Sequence, residues 1–242
     1  MIEIDPIVLS IKLATITTII LLGIAIPLAW WMTHTHHRTA GIIAAVTTLP
    51  LVLPPSVLGF YMLLALGPSG PIGMVTQFLN LDTLAFTFPG LVIASVIYSL
   101  PFAVQPIQNA FAGIGKNSLE AAATLGASTL DRFISIALPL AKPGILTAAI
   151  LTFAHTIGEF GVILMIGGNI AGETKVLSVA IYDHVESLEY RQAHILSLGL
   201  FVFAFVVLFL LQIVNKQPAK RTRSTPKSEV SHEYRGSSKS FS

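Results

Sequence analysis

No cysteine occurs among the 242 residues, and only 11% of them are Asp, Glu, Lys or Arg. The first absence excludes a disulfide scaffold, a thiol nucleophile and any zinc or iron–sulfur site built on cysteine. The second excludes more. A soluble domain carries about 25% charged residues. A chain that is 53% hydrophobic and this poor in charge lacks the polar surface to cover a globule in water. The same hydrophobicity excludes a disordered chain. The solvent that suits this composition is a lipid bilayer. A phosphate-binding loop ending in Gly-Lys-Ser or Gly-Lys-Thr is also missing, so the chain is not expected to hydrolyse ATP itself. HExxH and GxSxG are absent too, which removes the usual signatures of an intramembrane enzyme. The segment MIEIDPIVLS places Glu3 and Asp5 where a signal peptide has basic residues, so the first apolar run is expected to be retained.

A bilayer core about 30 Å thick needs about 20 apolar residues in a helix. Five runs meet that length, at about 8–31, 43–66, 85–108, 144–166 and 194–214. Of 14 Lys and Arg, seven lie in 216–242 as Lys216, Lys220, Arg221, Arg223, Lys227, Arg235 and Lys239. Arg38 lies between the first two runs, and Lys116, Arg132 and Lys142 lie in the loop 109–143. An amino terminus outside and a carboxyl terminus in the cytoplasm collect these basic residues inside, as the positive-inside rule requires. The expected architecture is all-α and polytopic, with residues 1–215 as one transmembrane domain. Residues 216–242 then form a disordered basic tail, read as a membrane protein's cytoplasmic end rather than a nucleic-acid arm. His34, His36 and His37 crowd one short loop, but without a carboxylate or Cys partner they read as a solvated loop rather than a metal site.

The second run contains Pro50, Pro54 and Pro55, followed by Ser56. Each proline removes a backbone N–H and frees a carbonyl one turn back. Lipid cannot satisfy such groups, so this face meets protein or a watery cavity, and it is a candidate lining of a pathway. Pro101 and Pro106 repeat the theme in the third run.

The loop 109–143 reads NSLEAAATLGASTLDRF from Asn117 to Phe133, with apolar residues at helical spacing. Two short amphipathic helices are expected. Asn117 or Ser118 would cap the first, Gly126 would end it or allow a close approach, and Ser128 would start the second. Leu138-Pro139 is expected to stop that helix. Too few basic residues are present for a membrane-surface helix, so a small, Ala-rich face points to a groove on a soluble partner.

The run Glu120-Ala121-Ala122, with Gly126, Ile136, Leu138 and Pro139 behind it, resembles the EAA loop of ABC importer permeases. LPLVLPPSVLG and IGEFGVILMIGGNIAGETKVLSVAIY extend the likeness to molybdate permeases of the ModB type over about 8–214; sulfate and tungstate permeases share parts of the pattern. The resemblance implies the MetI-like type I importer fold and a pair of permease subunits in a bacterial cytoplasmic membrane. It further implies two cytoplasmic ATPase subunits gripping the EAA loop, an extracytoplasmic molybdate-binding protein, and no cofactor. His155 stands where the family pattern has a basic or small polar residue.

Glu159 is the one carboxylate well inside a predicted span, with His155 four residues earlier and Gly158 and Gly161 beside it. An ionisable residue at such depth is a functional candidate. A proton relay with His155, half of a zinc site and a structural or gating carboxylate held by backbone N–H groups or a neighbouring helix are the three readings; HxxxE alone lacks the ligands of zinc, and the last is favoured because an intramembrane acid usually finds a partner. The two glycines would allow helices to approach closely. No Lys or Arg lies deep in a span, so an oxyanion would meet only hydroxyls such as Thr47, Thr48, Ser56, Ser95 and Thr156, which commonly bond back to their own helix. An ATP-independent channel or proton-coupled carrier is the competing class, and its only relay would be His155 and Glu159.

Overall fold

The computed structural model describes residues 3–35 and 37–214, so the expectation of a disordered tail at 216–242 and the placement of His36 lie outside the described residues. Within them the regular structure is entirely helical: α1 (Asp5–His34), α2 (Arg38–Val52), α3 (Pro55–Leu66), α4 (Pro71–Phe78), α5 (Phe88–Ala112), α6 (Lys116–Thr124), α7 (Thr129–Arg132), a π-helical turn (Phe133–Ala137), α8 (Leu138–Gly158), α9 (Gly161–Gly167), α10 (Leu177–Glu186) and α11 (Tyr190–Val214). Five stretches are long and apolar enough to cross a membrane: Asp5–His34, Pro55–Phe78, Phe88–Ala112, Thr129–Gly158 and Tyr190–Ile213.

The second of these differs from the expected 43–66. Leu53 and Pro54 both leave the helical region, at ψ 135° and ψ 136°. Each precedes a proline, whose ring disfavours the α conformation of the residue before it. The run therefore splits into α2 and α3, whereas the lone Pro50 sits buried inside α2 without ending it. Pro55 then occupies the first turn of α3, where a missing N–H costs nothing.

The fourth expected span, 144–166, is displaced toward the amino terminus. The π turn joins α7 to α8, so the helical path runs from Thr129 to Gly158. Leu138-Pro139 does not stop it: Pro139 falls where the π turn gives way to α8. At about 1.5 Å per residue this path is about 45 Å long, longer than the bilayer core, and its amino-terminal part projects beyond it.

α1, α5 and α8 form the centre of the bundle. Ala25, Ala29, Ala103, Ala141 and Ala148 are fully buried there. Small residues allow backbones to approach, which matters in lipid because no hydrophobic difference drives helices together. Contacts at both ends fix the relative direction. Lys12 of α1 lies over the ring of Phe88 at the start of α5, 4.6 Å from its centroid. At the other end Trp30 packs 5.3 Å from Phe111. A second core joins α3, α5 and α9 through Leu58, Leu91, Val162 and Ile166. α11 covers α8 and α10 and leaves Phe201, Phe205 and Phe209 exposed, the expected face toward acyl chains.

Candidate functional site

Two breaks in the helical path lie side by side. α8 ends at Gly158; Glu159 is extended, at φ −68° and ψ 130°, and Phe160 is also non-helical before α9 begins at Gly161. A Cβ added to Gly161 would stand 2.8 Å from the Cβ of Pro55. The break after Gly158 thus touches the start of α3, just after the break at Leu53-Pro54. Gly59, one turn into α3, is equally tight: a Cβ there would lie 2.8 Å from Met165 Cβ and 3.2 Å from the Val162 backbone. Gly158 behaves differently from the expectation. A Cβ there would meet nothing within 4 Å, so of the two flanking glycines only Gly161 is at a close approach within the chain.

Glu159 is 4% exposed and, among the described residues, neither carboxyl oxygen has a hydrogen-bond partner, so the backbone or neighbouring-helix partner expected for it is not found. The Ser95 hydroxyl is its polar neighbour, yet it too makes no hydrogen bond of ordinary geometry. The main-chain carbonyl of Glu159 accepts the hydroxyl proton of Ser178 from α10. That bond satisfies a carbonyl freed where the helix stops.

His155 does not join Glu159 in a helical pair, because the helix ends between them. Its Nδ1 is 2.9 Å from Ser99 Oγ, and the same hydroxyl lies 3.2 Å from Thr156 Oγ1. Its ring stacks on Phe102 at 3.9 Å. A relay from His155 to Glu159 therefore has no direct link in this structure, and among the described residues no three-residue group of metal ligands exists. Thr47 and Thr48 bond back to Ala44, as helix hydroxyls commonly do. Pro54 and Ser56 are exposed at the start of α3. Ser99, Phe102 and Gly59 were not singled out by the sequence reading; Ser95 and Ser99, four apart in an apolar run, were the available signal for the serine.

The segment after NIAG explains its own composition. Thr174 Oγ1 donates to the Gly167 carbonyl at 2.6 Å and accepts from the Ile170 N–H at 3.1 Å. Gly168 and Gly172 take φ +63° and +79°, where a side chain is strained. The Thr174 hydroxyl thus closes this turn from inside. Beyond it Lys175 bonds Asp183 at 2.6 Å and pairs with Glu3 at 3.3 Å, which ties the chain's start to α10. The Asp183 bond holds the Lys175 ammonium above its ordinary range, and the Lys175 bond holds the Asp183 carboxyl below its own.

At the other end, α6 and α7 form a projecting hairpin. The cap of α6 is Gly115, not Asn117 or Ser118. Its carboxyl end is fully capped: Gly126 takes φ +86°, its N–H donates to Ala123, and the Ala127 N–H donates to Ala122, both at 3.0 Å. This is the paired bonding of a Schellman end, which needs a left-handed residue. Ser128 accepts from the Asp131 N–H at 3.1 Å and caps α7. The tip is bare: Leu125 is 88% exposed and Leu130 65%. Glu120 and Ala121 are exposed, Ala122 half-buried. Ile136 and Leu138 are half-buried in and just after the π turn, with Pro139 exposed. Phe133 at the root packs 5.2 Å from Trp30, which also holds Phe111. The hairpin is thereby clamped to α1 and α5.

A polytopic helical bundle with paired helix breaks and a rigid projecting hairpin is the frame of a transport permease. The chain belongs to the family described as binding-protein-dependent transport system inner membrane component, which matches residues 13–224. It is 59% identical over 203 residues to the molybdenum transport system permease protein of Azotobacter vinelandii, covering 84% of this chain and 90% of that one. A probable sulfate transport system permease of Helicosporidium sp. subsp. Simulium jonesii is 34% identical over 207 residues, covering 86% and 76%. Among solved structures, a chain of a bacterial alginate ABC transporter bound to its periplasmic protein aligns with a TM-score of 0.71 at 18% identity, covering 88% of this chain and 78% of that one. That likeness shows the fold, the type I importer arrangement expected from the sequence.

Proposed function

We propose that this chain is the membrane subunit of an ATP-driven molybdate importer, working as two copies with two cytoplasmic ATPase subunits and an extracytoplasmic binding protein. The observation that carries the reading is the bare, doubly capped hairpin at α6–α7. Leu125 and Leu130 expose large apolar side chains on a rigid tip, a shape that suits a cleft on a soluble partner. The likeness to the Azotobacter vinelandii permease supports molybdate as the cargo; the likeness to a sulfate permease keeps sulfate as the competing oxyanion.

The hairpin root explains how force would travel. A pull on α6–α7 reaches α1 and α5 through Phe133, Trp30 and Phe111, and α8 directly through the π turn. Those three helices are the bundle centre, so it swings as a unit, a rigid-body change between two states. Glu159, Gly161 and Pro55 then form the hinge region where broken helices meet at depth. A buried carboxyl without a hydrogen-bond partner gives a dianion no cation to bind, which suits a gate rather than a binding site. The hairpin end faces the cytoplasm of a bacterial cell, in keeping with the positive-inside distribution of Arg38, Lys116, Arg132 and Lys142.

The test is reconstitution of the chain with its ATPase and binding protein in liposomes. Molybdate uptake should require ATP. Because the chain has no cysteine, Ala122→Cys and Leu125→Cys give unique cross-linking positions, and each should capture the ATPase subunit. Failure of both to do so in an assembly that otherwise imports molybdate would sink the coupling role.

A further inference from the structure

The turn between α10 and α11 is closed by a left-handed leucine: Leu188 takes φ +60°. The bonds around it are those of a Schellman end. The Leu188 N–H donates to the Val185 carbonyl at 3.1 Å, and the Glu189 N–H donates to the His184 carbonyl at 2.8 Å. Gly126 holds the same place in the α6–α7 hairpin. Glycine enters this region freely, whereas leucine is strained there. Packing within the chain does not offset that strain, because the Leu188 side chain is 71% exposed. The turn is nevertheless firmly set. His184 Nδ1 lies 2.9 Å from Glu189 Oε2, at the two positions that commonly share an apolar contact in this motif. α10 is seated on α11 through Leu177, Ala180 and Leu196. Val185 and Tyr190 also expose apolar surface, on either side of Leu188 in the chain.

The turn lies at the end of the bundle away from the α6–α7 hairpin. Leu196 packs with Leu177, whose neighbour Ser178 bonds the Glu159 carbonyl where α8 stops. Farther along α11, Phe203 lies 6.3 Å from Phe153 of α8. α11 thus runs antiparallel to α8, and the turn before it stands beyond the end of α8. We propose that Leu188, with Val185 and Tyr190 beside it, is a preformed docking point for the extracytoplasmic binding protein, whose matching socket is apolar with a rim of Lys and Arg. The proposal rests on the importer reading above and names the surface at which that partner is received. Segment 167–193 carries Glu173, Asp183, Glu186 and Glu189 against Lys175 and Arg191. Lys175 takes up Asp183, while Glu173, Glu186 and Glu189 are exposed. Tyr182 donates to Glu186 and holds its carboxylate in place. Carboxylates around an apolar tip steer a soluble partner of opposite charge. They also disfavour the two other occupants: an anionic lipid surface repels them, and a second copy would set like charges face to face. A tip ordered before contact loses little freedom on binding, which gives the strain at Leu188 a role.

Leu188→Gly separates strain from contact. Glycine keeps the left-handed bonds and removes the side chain, so the Tm of the complex should hold or rise. The concentration of molybdate-loaded binding protein that half-saturates uptake in liposomes should rise about tenfold, and more binding protein should restore the rate. Leu188→Asn, which tolerates the same backbone, should behave alike and covers the case in which glycine loosens the turn. Glu186→Gln should flatten the salt dependence of half-saturation. The chain has no cysteine, so a benzophenone on Leu188→Cys should capture the binding protein, and one on Phe205→Cys, on the exposed face of α11, should not. Three outcomes overturn the assignment: unchanged half-saturation in both the Gly and Asn variants, capture of lipid or a second copy alone at position 188, or a fall in Tm for both variants, which would make Leu188 a packing residue. If the unaltered complex takes up no molybdate with ATP and binding protein, the importer reading fails and this contact with it. Parental uptake with unchanged half-saturation in the variants removes the docking point alone.

Discussion

Gly126 gives the sharpest test of how the hairpin works, because its conformation and its surroundings make separate demands. Its φ of +86° is left-handed, and a side chain there costs about 1–2 kcal/mol for an L-residue. A Cβ would meet nothing within 4 Å, so the chain itself adds no steric cost. Replacement by Val should therefore weaken the α6 cap by about 1–2 kcal/mol, a factor of about 5–30 in the opening of that end. Asn tolerates the left-handed region and should restore most of the cap. Hydrogen exchange at the Ala127 N–H, which donates to Ala122, reads the cap directly. Coupled uptake in the full complex reads its use. For Val, exchange should quicken 5–30-fold on the estimate above, and uptake should fall while membrane insertion is unchanged. Asn should keep both close to the parent if only backbone shape matters. If Asn keeps exchange slow but loses uptake, the constraint is the space a partner leaves, and Gly126 is a contact point. Val matching the parent in both measurements would refute the view that a stiff hairpin end transmits the force.

Other positions make narrower predictions. Gly161→Val forces a side chain against Pro55, whose Cβ would stand 2.8 Å from the new Cβ; overpacking of this kind costs about 1–3 kcal/mol. Thermal unfolding in detergent should show that loss, and Gly158→Ala, with nothing within 4 Å, should show none from packing. Glu159→Gln preserves volume and removes a group that no donor compensates, so folded stability should hold or rise; a fall of more than about 1 kcal/mol would mean the carboxyl has a partner the geometry does not reveal. Lys175→Met should loosen the tie from α10 to Glu3 by about 1 kcal/mol. The pH dependence follows from the two shifts. The lowered Asp183 carboxyl contributes above its ordinary 3.8, and that contribution is lost as pH falls through the lower folded value. The raised Lys175 ammonium contributes below its ordinary 10.5 and is lost as pH rises through the higher folded value. The parent-minus-mutant difference should thus be flat between these limits and shrink outside them; a difference that changes near pH 7 would point to another group.

Features set by residues close in the chain could be read from the sequence. The hairpin is one. Ser128 caps α7 and Gly126 ends α6 through bonds that reach no farther than five residues, so the pattern carries its own geometry. The split at Leu53-Pro54 is another: two consecutive prolines act on the residues before them, and the sequence did mark that span as broken, although it kept it as one. The site around Glu159 was different. A run of apolar residues through GEFG looks like continuous helix, and HxxxE looks like one face of it. The partners of this site come from elsewhere: Ser178, nineteen residues on, donates to the Glu159 carbonyl, and Ser99, on another span, meets His155. Single-span periodicity cannot register either partner.

The same reasoning separates the two glycines beside Glu159. In sequence they are equivalent small residues flanking one carboxylate. In the structure Gly161 is pressed on Pro55, and Gly158 faces open space. Gly161 is required because α3 begins where it does, and α3 begins there because Pro54 and Pro55 end α2. The proline cluster and the glycine thus answer to one constraint, the meeting of two interrupted helices. If that meeting is the hinge, enlarging either side should act alike: Gly161→Val and Gly59→Val both press on the α3–α9 contact. Because they share neighbours, their effects should not add. A double variant destabilised by no more than the worse single one fits a single shared contact. Full additivity would place the hinge elsewhere.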